Sequence, residues 1–249
     1  MSVPTIRNFQ VKGDAWTCEY YGKAVNGVIL MPVGDGPFPA VVINHPVGMT
    51  AEQFARKVRE FVKLGYVCIG PEYTHVKPQS DRALVGASPE NIRRAKACVD
   101  MLRGMPFVEP DRIYAYGHSH GALVAIGLAT EMSDKLAAVA ITGGGVAPNP
   151  GTPMPTVGAA QRIRAPMLIL QGANDRILSP DRSALLKSVL DRNRVPNDRQ
   201  VFDGADNVLL NAKSAEAFNL IEAWFTKYDS LKAQTRSVTP GSPAATNPK

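Results

Sequence analysis

Histidine is scarce in this sequence and missing from its second half. The chain of 249 residues has four histidines, and none lies beyond His120. Its three cysteines are an odd set, so we expect no disulfide framework. No apolar run approaches the length that spans a bilayer, and residues 1–10 lack the charged start and apolar stretch of a secretion signal. We therefore expect a soluble, cytoplasmic protein with no membrane partner.

The basic residues do not form long runs either. The formal net charge is +6, but no run of five or more basic residues occurs, so we interpret the basic residues as a solvated surface and expect no nucleic-acid partner. With 45% hydrophobic residues the chain can bury a large core. We predict one domain over residues 1–229. A low-complexity tail follows over residues 230–249, where Ser, Thr, Pro and Ala indicate disorder.

Short apolar segments alternate with amphipathic ones along most of the chain. Helix starts are indicated by a Thr50 capping box with Gln53 and by the pairs Ser88-Pro89 and Ser179-Pro180. Strands alternating with helices predict an α/β fold, namely a mostly parallel sheet with helices on both faces and its binding loops at the carboxyl ends of the strands. The eight predicted strands are residues 16–21, 27–31, 40–44, 67–70, 112–116, 136–141, 167–171 and 200–202.

A small-residue motif, Gly117-His118-Ser119-His120-Gly121, follows the predicted strand at 112–116. Its spacing is that of a nucleophile elbow, in which a serine on a strained turn projects from the end of a sheet. The segment after it, residues 121–131, is predicted to be helical, which is the context that the motif requires. A plain small-residue loop is the structural alternative. A serine alone is inert, because it needs a base to take its proton.

A carboxylate, Asp175, follows the apolar run that ends at Gln171 and comes after Ser119 in the chain. The elbow, the acid and their order resemble the α/β-hydrolase superfamily, and their details are similar to its dienelactone hydrolase-like esterases over about residues 15 to 228. The resemblance implies an α/β-hydrolase fold with an eight-stranded sheet, in which Asp175 orients the catalytic base. An aspartate that forms a turn is the other interpretation.

The third position of the expected triad departs from the family. After the strand ending at Phe202 the chain has a Gly-Ala-x turn, and the residue that is histidine in related esterases is Asn207. An asparagine amide can hydrogen-bond Asp175, but it cannot accept the serine proton. Losing a triad member costs on the order of 10⁴-fold in turnover, so we expect this chain to be severely impaired. Two origins would explain Asn207. One is a deliberate substitution, which we favour because the other residues of the expected site are still recognisable, and the other is a natural loss.

The resemblance also implies an acyl-enzyme mechanism on an ester or lactone. Backbone amides of Val47 and His120 would form the oxyanion hole, since Pro46 has no N–H. We expect the side chains of His118 and His120 to point away from the hydroxyl on their tight turn. A natural pseudohydrolase that binds a small molecule without turnover is the alternative function.

Loop residues supply the candidate contacts to substrate. We assign His45, His75 and Met154 to substrate binding, with loop bracing as the alternative for His45 and a surface position as the alternative for His75. Lys77 and Arg82 are only a weak indication of an anionic substrate. Residues 143–164 are a Gly- and Pro-rich loop, so we predict no separate cap domain. We predict no metal and no cofactor, and the oligomeric state stays open.

Overall fold

A twisted sheet crosses the molecule, which we describe from a computed structural model over residues 6–77, 81, 84–151, 153–207 and 209–237. In these ranges the sheet has nine strands in the order β1-β2-β3-β5-β4-β6-β7-β8-β9. The strands from β5 to β9 in that order are parallel, whereas β1, β2 and β3 pair antiparallel with their neighbours. The strands are β1 (Ile6–Lys12), β2 (Ala15–Tyr20), β3 (Lys23–Leu30), β4 (Phe38–Asn44), β5 (Val67–Pro71), β6 (Val108–His118), β7 (Ala138–Thr142), β8 (Met167–Gly172) and β9 (Asn197–Phe202).

The predicted number of eight strands was wrong by one, because β1 was missed. Every residue of β1 after Ile6 is exposed, so the strand has no buried face to produce an alternating apolar pattern. Its pairing with β2 is also interrupted by a register shift between Arg7 and Gln10, next to Asn8 at a φ of 53°. Such an irregular edge strand is held mainly by backbone pairing, with Ile6 as its one residue packed against the core.

The predicted helix starts are confirmed. The Thr50 and Gln53 side chains form both bonds of the capping box, the Ser88 side chain accepts from the Asn91 amide, and the Ser179 side chain accepts from the Asp181 amide. The helices are α1 (Ala51–Lys57), α2 (Glu60–Lys63), α3 (Pro89–Gly104), α4 (His120–Met132), α5 (Val157–Ala160), α6 (Pro180–Arg192), α7 (Leu209–Ala212) and α8 (Ser214–Ser237).

Helices cover both faces of the sheet, as predicted. The apolar sides of α3, α4 and α6 pack on one face, and those of α1, α2 and α8 pack on the other. Hydrophobic burial, the main favourable term in folding, holds the two helical layers on the sheet. Because β4, β6, β7, β8 and β9 run parallel, their carboxyl ends present their loops at one edge of the sheet.

Two regions of the structure differ from, or add to, what the sequence predicts. Helix α8 continues to Ser237, past the predicted boundary at residue 229, and residues 238–249 lie outside the described part of the chain. In the described part of the 143–164 segment, the structure has the short helix α5 and a bridge between Ala147 and Thr156. None of the helices in the described ranges combines the length and the apolar character that a bilayer crossing requires.

Candidate active site

Ser119 sits on a tight turn between β6 and α4. Its φ of 54° and ψ of −121° are strained for a residue with a side chain, and its amide donates to the Thr142 carbonyl at 2.9 Å. A Cβ on Gly121 would lie 1.9 Å from the Asn44 carbonyl oxygen, and one on Gly117 would lie 2.2 Å from the Gly121 carbonyl oxygen. Glycine is therefore required on both sides of the serine, which is the geometry of a nucleophile elbow.

The elbow opens into a cavity of about 300 Å³. The Ser119 side chain makes no capping hydrogen bond to α4, which leaves the hydroxyl open to this cavity. Apolar, amide and cationic side chains share the walls, so the cavity suits a small ligand with both apolar and polar groups. Its described lining residues are Pro46, Val47, Met49, Lys57, His118, Ser119, His120, Ile177, Asn207 and Asn211.

Asp175 lies just beyond β8 and is almost fully buried. Its Oδ1 accepts hydrogen bonds from the amides of Ile177 and Leu178, both at 2.9 Å. Its Oδ2 accepts from Gln171 Nε2 at 3.2 Å and from Asn207 Nδ2 at 2.9 Å. These four donors hold the carboxylate in one orientation, in which Oδ2 faces the side chain of residue 207.

Asn207 joins the acid to the serine cavity. Its amide nitrogen is used by Asp175, and the residue lines the same cavity as Ser119. The close approach depends on Gly143, at the end of β7, whose φ is 62° and whose Cβ would lie 3.2 Å from Asp175 Oδ2 and 3.3 Å from Asn207 Nδ2. The structure thus brings together the three residues that the sequence places far apart in the chain.

Two residues that line the cavity have free backbone amides. Val47 and His120 both line the cavity, and neither amide donates a hydrogen bond to another described residue. Free N–H groups beside a nucleophile can stabilise negative charge that develops on a substrate oxygen.

His118 and His120, the two histidines of the elbow, are both among the residues that line the cavity. His118 Nδ1 lies 2.9 Å from Thr142 Oγ1 and 3.2 Å from the Thr142 carbonyl oxygen, so Nδ1 carries the proton. Burial lowers the pKa of His118 to about 4 and also lowers the pKa of His120. A pKa of about 4 makes the remaining Nε2 of His118 a poor acceptor for a serine proton.

The assignment of His45 and His75 to substrate binding was wrong. Both rings are buried, with exposed fractions of 1% and 0%, and both ring nitrogens of each have protein partners. Their loops meet at the predicted edge of the sheet, but neither residue is among those that line the cavity. A surface position for His75 is likewise excluded.

Three further candidates lie away from the serine cavity or outside the described residues. Met154 is half-buried and is not among the lining residues. Lys77 is exposed and does not line the cavity either, and Arg82 lies outside the described residues. The cation that does line the cavity is Lys57, whose ammonium donates to Asn211 Oδ1. No local sequence signal distinguishes Lys57 from any other polar lysine on a surface helix.

The sequence model of the dienelactone hydrolase family matches residues 25–235. The chain belongs to the dienelactone hydrolase family. Two curated relatives are NocK of Nocardia uniformis subsp. tsuyamanensis, a provisionally named esterase that is 36% identical over 166 residues, and the esterase FrsA of Escherichia fergusonii, which is 31% identical over 126 residues. The matches cover 61% and 49% of this chain but only 44% and 29% of the relatives, so the chain spans less than half of their length.

Solved structures share the fold of this dienelactone hydrolase family member at low sequence identity. A candidate dienelactone hydrolase from Klebsiella pneumoniae subsp. pneumoniae MGH 78578 has a TM-score of 0.71 at 18% identity, covering 84% of this chain and 95% of that one. An S-formylglutathione hydrolase from Agrobacterium tumefaciens has a TM-score of 0.64 at 14% identity, covering 90% and 99%. The fold is that of the α/β-hydrolases, and the family and the curated relatives are hydrolases.

Proposed function

We propose that the chain is a serine hydrolase of carboxylic esters or lactones that acts through an acyl-enzyme, in a form impaired by Asn207. The observation that carries the proposal is the 2.9 Å hydrogen bond from Asn207 Nδ2 to Asp175 Oδ2, made by a residue that shares its cavity with Ser119. Residue 207 has the acid on one side and the nucleophile's cavity on the other. That position is the place of the general base in a hydrolase triad.

The reaction has two steps. Ser119 Oγ attacks the ester carbonyl carbon, the carbonyl oxygen becomes an oxyanion held by the amides of Val47 and His120, and the C–O bond to the alcohol breaks. Water then attacks the acyl-enzyme and releases the acid. Each step needs an acceptor for a proton of Ser119 or of water, and that proton then passes to the leaving oxygen. The Asn207 amide cannot accept it, so both steps are slow.

Restoring an imidazole at this position tests the proposal. We expect Asn207→His to increase the turnover of short p-nitrophenyl esters by about 10³-fold or more, because the new ring would donate the orienting hydrogen bond to Asp175 and accept the serine proton on its other nitrogen. Asn211→His is the matched control, since Asn211 lines the same cavity but does not contact Asp175. That control should show no gain, and Ser119→Ala added to the restored enzyme should abolish the new activity.

The result of the Asn207→His experiment also decides between the esterase function and the alternative binding function. A pseudohydrolase that binds a small molecule without turnover is favoured by the state of His118, which burial leaves as a weak base. If Asn207→His binds esters but gains no turnover, the esterase proposal is wrong and the binding function stands. Comparing neutral esters with carboxylate-bearing esters in the restored enzyme tests whether the cavity that Lys57 lines favours an anionic substrate. Equal specificity constants would exclude that preference.

A further inference from the structure

We propose that His45 is a positioning residue that aims the Val47 amide at the substrate oxygen. The inference rests on the proposed function, in which that amide belongs to the oxyanion hole. His45 follows β4 directly and begins the loop that carries Pro46 and Val47. Its ring is buried, so it acts through the backbone of this loop rather than by touching substrate.

The tautomer of His45 follows from its partners. The Tyr73 amide donates to His45 Nε2 at 2.9 Å, and a backbone N–H can only donate, so Nε2 has a lone pair and no proton. The proton of the neutral ring is therefore on Nδ1. There it donates to the Pro46 carbonyl oxygen at 3.0 Å.

Glu72 is the group that opposes this tautomer. Its Oε1 lies 3.3 Å from His45 Nε2 and accepts no hydrogen bond from a described residue. A proton on Nε2 would satisfy that oxygen. It would also leave the Tyr73 N–H and the Pro46 carbonyl without their hydrogen-bond partner on the ring. Losing two hydrogen bonds to the backbone costs more free energy than gaining one to Glu72.

The bond to Pro46 fixes the direction of the neighbouring amide. In a trans peptide unit the carbonyl and the N–H point in opposite directions within one plane. The Pro46 carbonyl and the Val47 N–H belong to the same peptide unit. When His45 holds the carbonyl, the N–H is therefore turned to the other side, and Val47 lines the Ser119 cavity there.

A second histidine anchors the same loop. His75 Nδ1 accepts from the Gly86 amide and from Asn91 Nδ2, both at 3.2 Å, so its proton is on Nε2, which donates to the His45 carbonyl at 3.0 Å. The His75 carbonyl in turn accepts from the Gly48 amide at 3.3 Å. The loop is thus held at both ends by residue 75, and in its middle by the ring of His45.

Two variants of similar size separate positioning from general support. Both are made in the Asn207→His enzyme and assayed on p-nitrophenyl acetate. His45→Asn keeps a donor near the place of Nδ1, whereas His45→Gln keeps an acceptor near the place of Nε2 but loses the bond to Pro46. We expect His45→Gln to lower kcat about 10- to 100-fold with KM nearly unchanged, because the oxyanion exists only in the transition state. His45→Asn should keep kcat within about fivefold of the parent.

A structural role alone would give a different result. If both variants lost kcat equally and in step with a fall in Tm, or if His45→Gln left kcat unchanged, His45 would have no positioning role. Nitrogen NMR of the histidine side chains in the unaltered chain supplies a readout that needs no turnover. We expect His45 to be protonated at Nδ1, and a ring with its single proton on Nε2 would overturn the inference. If Asn207→His shows no turnover at all, the proposed function fails, and the NMR result still decides the tautomer.

Discussion

Among the single residues, His75 and His118 are imidazoles that the fold buries in their neutral form. Burial is the main cause that lowers the pKa of His75 to about 3 and that of His118 to about 4, against an ordinary value of 6.5. Below pH 6.5 the unfolded chain takes up protons on these rings while the folded chain does not. Both histidines therefore contribute stability that is lost as the pH falls from 6.5 towards 4.

This pH dependence is measurable by urea unfolding. At pH 5 we expect each of the two histidines to lower the free energy of unfolding by about 2 kcal/mol relative to pH 7. His75→Gln keeps a donor for the His45 carbonyl and has no titrating group, so it should remove about half of the loss. His120→Gln is the comparison: burial lowers the pKa of this partly buried ring as well, but less than for His75, so this variant should remove a smaller part of the loss. A pH dependence that is the same in His75→Gln and in the parent would refute the assignment.

The sequence located the central residues of the site but misplaced several others. Ser119 and Asp175 were predictable because strand ends and small-residue turns have local sequence patterns, and Asn207 was implied by the resemblance to related esterases, which have histidine after such a Gly-Ala-x turn. The roles of His45 and His75 were not predictable. They depend on hydrogen bonds between loops about 30 residues apart, which no local pattern encodes. For the same reason the sequence did not predict that Lys57 and Ile177 line the cavity.

At the scale of the elements, the turn from β6 into α4 is the least tolerant of change. Gly121→Ala would bring a Cβ to 1.9 Å from the Asn44 carbonyl oxygen, and neither backbone can move without displacing a strand. We expect a loss of about 3 kcal/mol or more in the free energy of unfolding, or failure to fold. Gly158→Ala in α5 is the matched control, since its Cβ would meet only Thr156 Oγ1 at 3.8 Å. Thermal unfolding followed by circular dichroism compares the two, and equal Tm values would contradict this account of the elbow.

Elements differed in how well sequence predicted them. The parallel strands β4, β6, β7 and β8 are buried over long stretches, so their apolar runs are plain in the sequence. Helix starts were equally clear, because capping side chains such as Thr50 and Ser88 act locally. Strand β1 gave no signal, because all of it except Ile6 is exposed and its pairing with β2 is made by the backbone.

Across the whole molecule, the C-terminal helix is tied to the centre of the sheet by one carboxylate. Asp229 of α8 accepts from Arg112 Nε at 2.9 Å and from an Arg112 terminal nitrogen at 2.6 Å, and the Tyr114 hydroxyl also donates to it. Both partners lie on β6, the strand that leads to Ser119. Phe225 of the same helix stacks on the ring of Tyr114, with centroids 4.4 Å apart.

Removing that carboxylate should loosen the whole fold. We expect Asp229→Ala to lower the free energy of unfolding by about 2 kcal/mol, because it leaves a partly buried guanidinium and a tyrosine hydroxyl short of a partner. In a domain of this size that corresponds to a fall in Tm of roughly 4–8 °C. Asp203→Ala on an exposed turn should change Tm little. Similar Tm values for the two variants would show that α8 is held by apolar packing alone.

The hydrogen bonds that orient Asp175 depend little on residue 207. Three of its four donors come from its own strand and loop, so the carboxylate keeps its direction whichever side chain stands at position 207. Codons for asparagine and histidine differ by a single base. Under the proposed function, a single nucleotide change therefore separates this chain from one with a proton acceptor at position 207, and the other three donors to Asp175 would stay in place.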